Sequence, residues 1–186
     1  MKIVRIFANE NYLLVVHYTN EELDEFARLF DEWTDVEFLE DFFTKNEKDL
    51  QVDFWKEISV EEAVRITIRE ASDFRKLLLE ITKEKPAKRR KEFIELFKPL
   101  EDTQSRFDFL DKKKAYGMRK PSWLRMYALK ISDDMYLITG GAIKLTKRMG
   151  ERKHTKKELV KIERCKQYLK DQGVVDEFGM IEILEI

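Results

Sequence analysis

The stretch DKKKAYGMRKPSW, read as one loop, sets Lys112, Lys113, Lys114, Arg119 and Lys120 around two rings, Tyr116 and Trp123. Arg125 follows two residues later, and beyond Gly140-Gly141 come Lys144, Lys147, Arg148, Arg152 and Lys153. Proteins hold single-stranded nucleic acid with cations that track phosphates and rings that stack bases, each stacked base contributing about 1 to 3 kcal/mol. Arg125 interrupts the apolar face of WLRMYALKI. An unpaired guanidinium is costly to bury, so it requires either a carboxylate partner or an open groove. In a groove, a fixed arginine beside Lys144 has the charge to stabilise the phosphorane formed when a 2′-hydroxyl attacks its own phosphodiester. The rings of Trp123 and Tyr127 serve equally well as core.

Other chemistries find less support. A phosphate loop needs GxxxxGK[ST] between a strand and a helix, whereas GGAIKLT lacks that spacing and its apolar alternation continues past the glycines. The pair therefore reads as a bulge or bend in a strand. Two histidines and one cysteine supply no zinc-ligand spacing, and no metal, cofactor or bound nucleotide is expected. No nucleophile motif of the G-x-S-x-G type occurs. His17, among Val15, Val16 and Tyr18, reads as structural; His154, in a basic loop ahead of a helix start, is a candidate titrating group. The acids of EELDEF and VEEAV read as solvated helix faces, and Cys165 as an inert core thiol.

Regular elements must position these residues. KIVRIF and YLLVVHY flank the turn-rich ANEN and predict an antiparallel hairpin. Thr19, Thr34, Ser59 and Thr155 each precede a glutamate by three residues, the spacing of a helix-start capping box. Apolar stripes follow: Leu23, Phe26, Phe30 and Trp33; then Val36, Leu39 and Phe43; then the long series from Val64 to Ile81, a helix of about 24 residues. Pro86 suits a first helical position and opens a shorter helix through Phe93 and Phe97. SWLRMYALKI alternates, SDD turns, and MYLIT returns as a second strand that AIKLTK extends. A helix after Thr155 turns Leu159, Ile162, Cys165 and Leu169 inward and Lys156, Lys157, Lys161, Arg164 and Lys170 outward, ending at Gly173. MIEILEI predicts a last strand.

The fold class expected is α+β: an N-terminal β-hairpin and helices, then a small twisted antiparallel sheet with a packed C-terminal helix. The net charge of −1 conceals an asymmetry: residues 1–55 carry 5 basic against 14 acidic side chains, residues 101–170 carry 19 against 9. Basicity on that scale is a footprint for polyanions, although the cations can also pair with the chain's own acids. The boundary falls between an acidic region, 1–96, and a basic part, 97–186, which together can form one compact unit. No run spans a bilayer and the N-terminus lacks a signal peptide's apolar centre, so with one cysteine a cytoplasmic location is expected.

FKPL, WLRMYALKI, DDMYLITGGAIKLTKRM and HTKKELVKIERCKQYL resemble the central hairpin, third strand and last helix of RelE/HigB-type toxins, over roughly residues 97–171. The resemblance implies a ribosome-dependent mRNA endoribonuclease from a toxin-antitoxin or phage-derived module, neutralised by an antitoxin that can be a helix-turn-helix protein. Arg125 in LRMY is similar to the family's functional strand arginine, and AIKLTK to its lysine-rich strand end, pointing to Lys144, Thr146 and Lys147. Arg148 and Arg152 fall where the following loop supplies cations, and His154 is the nearest match to the acid or base beside the last helix. The catalytic set so implied is Arg125, Lys144 and His154; the RNA-binding set is Lys112, Lys113, Lys114, Arg119, Lys120, Lys147, Arg148 and Arg152. Two alternatives stand beside it: a non-catalytic module that binds nucleic acid or an acidic partner, and a structural protein with internally paired charges. The acidic N-terminal region, unexplained by the resemblance, can cover the basic face as a polyanion would.

Overall fold

The computed structural model describes residues 1–7, 10–100 and 110–184, save the Asp53 side chain. The chain is α+β, with one mixed six-stranded sheet in the order β1-β2-β6-β5-β4-β3. Strands β1 (Lys2–Arg5) and β2 (Leu13–His17) form the expected antiparallel hairpin; turn residues 8 and 9 lie outside the described residues. The hairpin is not set apart from the later strands. β2 runs parallel to β6 (Met135–Ile143), pairing Leu13, Leu14 and Val15 with Tyr136, Leu137 and Ile138. β6 pairs antiparallel with β5 (Leu124–Ser132), β5 with β4 (Asp111–Tyr116), and β4 with the short β3 (Lys98–Pro99). DKKKAY, expected in a loop, is therefore a strand. Its lysines alternate across the sheet instead of clustering.

Every residue of β6 is buried because helices cover both faces. On one face, α1 (Glu25–Thr34), α2 (Val36–Lys45), α4 (Val60–Thr82) and α5 (Pro86–Leu96) pack Phe30, Trp33, Phe43, Phe74 and Phe93 onto Leu124, Met126, Ala128 and Ile138. The short α3 (Glu47–Leu50) and a 3₁₀ turn, Asp53–Trp55, connect α2 to α4. On the other face, α6 (Lys153–Asp171) and α7 (Glu177–Leu184) set Ile162, Cys165, Leu169 and Met180 against Tyr127, Leu129, Ile131 and Leu137.

Helix starts follow hydrogen-bonding chemistry more closely than motif spacing. Ser59 caps α4 as expected, accepting from the Glu62 N–H at 3.2 Å, and Pro86 opens α5. Asp24 and Asp35 cap α1 and α2 in place of Thr19 and Thr34. A carboxylate accepts only, whereas the Thr34 hydroxyl instead donates back to Phe30 O at 2.7 Å. Thr155 sits inside α6, its hydroxyl donating to Arg152 O. Gly173, at φ +74°, follows α6 in a conformation that suits glycine. MIEILEI is not a strand: Asp176 accepts from Gly179 N–H at 2.9 Å and starts α7, whose Met180 is fully buried. Residues 185 and 186 of the expected strand lie outside the described residues.

The glycine pair marks a bulge. Tyr127 pairs with Gly140 and Ala128 with Ile138, leaving Thr139 as the extra residue. A Cβ on Gly141 would lie 2.6 Å from the Arg125 carbonyl oxygen and 2.8 Å from Leu29; one on Gly140 would lie 2.0 Å from Glu158 Oε2. Gly141→Ala should therefore destabilise the fold by about 1 to 3 kcal/mol, while Gly150→Ala, which meets nothing within 4 Å, should not. Urea denaturation of the two variants checks this.

Candidate functional site

Arg125 and Tyr116 are cross-strand partners on β5 and β4, which puts both side chains on the face of the sheet that carries Tyr127. The Arg125 guanidinium lies 4.0 Å from the centre of the Tyr116 ring. Its Nη1 donates to the carbonyls of Ser122 and Leu124, each at 2.7 Å. Lys144 emerges at the end of β6, where its N–H donates to Trp123 O and its Nζ to Thr146 O and Lys147 O, both at 2.7 Å. Both cations are half-buried, and neither forms a salt bridge among the described residues. Burial pushes the Arg125 pKa down. Burial, then repulsion from Arg125 and Lys114, depresses that of Lys144.

Lys114 and Lys147 join them around a pocket of about 250 Å³ walled by Leu100, Tyr127 and Met149. A second pocket of about 730 Å³ shares Tyr116, Arg125, Lys144 and Lys147 and extends under Phe54, Trp55 and Leu145. The two form a continuous cationic groove with exposed rings, Tyr116 and Phe54, at its surface. Among the described residues the acids that border it are engaged elsewhere: Asp49 holds Arg152 through two hydrogen bonds of 2.8 and 2.5 Å, and Glu151 accepts from the Arg148 N–H at 2.6 Å. The acidic N-terminal region thus takes Arg152 at the rim, and none of its described carboxylates pairs with Arg125, Lys144 or Lys147.

No protein-family model, curated protein or solved structure matches the chain.

The other expected site residues are dispersed. Lys112 pairs with Glu163 of α6. Lys113 points to the opposite face, 8% exposed and 3.3 Å from Asp111. Arg119 lies over the Trp123 ring at 5.5 Å, Lys120 is exposed ahead of Pro121, and Arg148 is exposed. Trp123 is core, fully buried, its indole N–H donating to Thr67 Oγ1 at 2.9 Å. His154 does not reach the groove. Its Nε2 donates to Ile143 O at 2.9 Å and its ring meets Phe42 edge to face, so it lines a separate cavity.

That cavity, about 580 Å³, holds a cluster that periodicity alone assigned to solvent. Glu25 of α1, only 2% exposed, receives two hydrogen bonds from Arg28, at 3.1 and 2.7 Å, and two from Lys161 of α6, each at 3.0 Å. Lys161 also bridges to Glu158 at 3.1 Å. Glu158 is 6% exposed and its Oε2, against Gly140, has no hydrogen-bond partner. Burial pushes the Glu158 carboxyl up to about 7, against the counter-pull of Lys161. Cys165, raised to about 12 by burial, is an inert thiol. Among the described residues no helix is long and apolar enough to cross a membrane and no metal-binding cluster occurs.

The Glu158 shift fixes a sign. Between its ordinary value of 4.5 and about 7 the folded chain binds a proton that the unfolded chain has released, so folding stability falls as pH rises through that window. Glu158→Gln should remove this part of the slope. Urea midpoints of the two proteins measured from pH 4.5 to 8 check it.

Proposed function

We propose that the Arg125–Lys144–Tyr116 groove binds the phosphodiester backbone of single-stranded RNA, in the cytoplasm. One observation carries the reading: Arg125 and Lys144 are half-buried, adjacent and without a carboxylate partner among the described residues, whereas Arg28, Arg89 and Lys161 each have one. Two desolvated like charges repel, and a bound phosphate relieves that cost for both. The exposed rings of Tyr116 and Phe54 give successive bases surfaces to stack on.

A second reading builds on the first: cleavage of the bound RNA, as in the RelE/HigB-type toxins that the strand arginine and the lysine-rich strand end resemble. Arg125 and Lys144 would stabilise the phosphorane that forms as the 2′-hydroxyl oxygen attacks, its proton passing to water. Lys147, exposed in the same pocket, would position RNA and protonate the leaving 5′-oxygen. His154 has no part in this chemistry. On the same resemblance the substrate is mRNA on the ribosome and the partner an antitoxin.

Binding of a fluorescent 12-nucleotide RNA should weaken at least tenfold in Arg125→Ala and in Lys144→Ala, with a shallower salt dependence. Fluorescence anisotropy reads the affinity, and mass spectrometry reads 2′,3′-cyclic phosphate ends. Binding unchanged in the double variant overturns the groove; binding without cleavage, on ribosomes or off, leaves a binding module.

A further inference from the structure

The two pockets that meet at Arg125 differ in chemistry. Tyr116, Arg125, Lys144 and Lys147 line both. The larger adds Phe54, Trp55 and Leu145, together with two carboxylates, Asp49 and Glu151. The smaller, of about 250 Å³, adds Lys114, Leu100, Tyr127 and Met149 and no carboxylate. Tyr127 is fully buried and offers no face for stacking. Surfaces for bases therefore belong to the larger pocket, and the smaller one is chiefly a place for negative charge.

The sheet brings the four cations together. Lys114 and Tyr116 stand two residues apart on β4, opposite Tyr127 and Arg125 on β5, so all four side chains share one face. Lys144 and Lys147 approach from the end of β6. Lys114 Nζ donates to Leu100 O at 3.2 Å, so it too is held by a carbonyl, and among the described residues it forms no salt bridge. Burial, then Arg125, and more weakly Lys114, push the Lys144 pKa down, which puts these charges in one field.

Charge decides between two kinds of phosphate. An internal phosphodiester carries a single negative charge. A phosphate monoester at a chain end has a second pKa of about 6 and three free acceptor oxygens, so at neutral pH it carries nearly two. Four cations without a described counter-ion match the dianion better, because each additional charge-assisted hydrogen bond relieves repulsion within the cluster.

We propose that the smaller pocket holds a terminal phosphate monoester of the RNA, with the adjoining nucleotides laid along the rings of the larger pocket. The inference rests on the groove binding RNA, with or without cleavage. It makes Lys114 the residue that distinguishes a chain end from a chain interior, since of the four cations Lys114 alone is absent from the larger pocket. A 5′-phosphate and a 3′-phosphate share the required chemistry.

Anisotropy competition on the full chain separates them, using RNAs of one sequence that end in hydroxyls, in a 5′-phosphate, in a 3′-phosphate, or in the preferred phosphate as its singly charged methyl ester. At least one phosphorylated end should bind about tenfold tighter than the hydroxyl-ended RNA, and the methyl ester should lose most of that gain. Lys114→Ala should collapse the preference to within about threefold, whatever it does to overall affinity, and Lys114→Arg should keep it. If hydroxyl-ended RNA binds and neither phosphate improves on it, or if the methyl ester or Lys114→Ala retains the full preference, the inference is overturned while the groove reading stands. If none of the RNAs binds, both fall. Should Lys114→Ala fail to fold, the methyl ester comparison decides.

Discussion

Two carboxylates reach one point of β6 from helices on opposite faces of the sheet, and only a residue without a side chain can stand between them. Glu158 Oε2 and Glu25 Oε2 would lie 2.0 and 3.1 Å from a Cβ at Gly140. Lys161 ties them together at 3.0 and 3.1 Å, which fixes α1 against α6 around the edge of the strand. Gly141 then lets Leu29 of α1 settle directly onto the backbone. A central strand that is buried on both faces cannot otherwise admit charged groups so close to its main chain.

The remaining features of β6 follow from that junction. The bulge at Thr139 shifts the register against β5, so Ala142 falls opposite Arg125 and Lys144 emerges into the pocket that the guanidinium lines. The cations of the groove are then held by nearby carbonyls, from Ser122, Leu124, Thr146 and Lys147, and no described carboxylate neutralises their charge. Carbonyl anchoring orients a cation while preserving its attraction for an anion. On the far side of the strand, the same departure from β2 leaves Gly141 and Ile143 facing the cavity lined by Trp33, Phe38 and Phe42.

Long-range periodicity made much of this legible. The α4 stripe, the β5–β6 hairpin and Arg125 as an odd cation in an apolar strand were all readable, because each rests on a local pattern repeated over several residues. The glycine pair read as a bend from its surroundings alone. Charge was less transparent. Glu25 and Lys161 carry the spacing of a solvated helix face, yet they pair across more than a hundred residues and Glu25 is buried, and a single sequence holds no sign of that meeting. His154 shared a loop with the groove cations but turned to the opposite side, since Ile143 O offered it an acceptor. DKKKAY alternates only two apolar or aromatic residues with four charged ones, too little to announce the strand that pairs with β5.

The groove around Arg125 and Lys144 is the proposed seat of RNA. Photocrosslinking with RNA that carries 4-thiouridine at each position in turn, followed by mass spectrometry of the digested protein, tests it directly. Crosslinks at Tyr116 and Phe54 are the predicted result; crosslinks confined to the basic surfaces of α5 or α6 would contradict it.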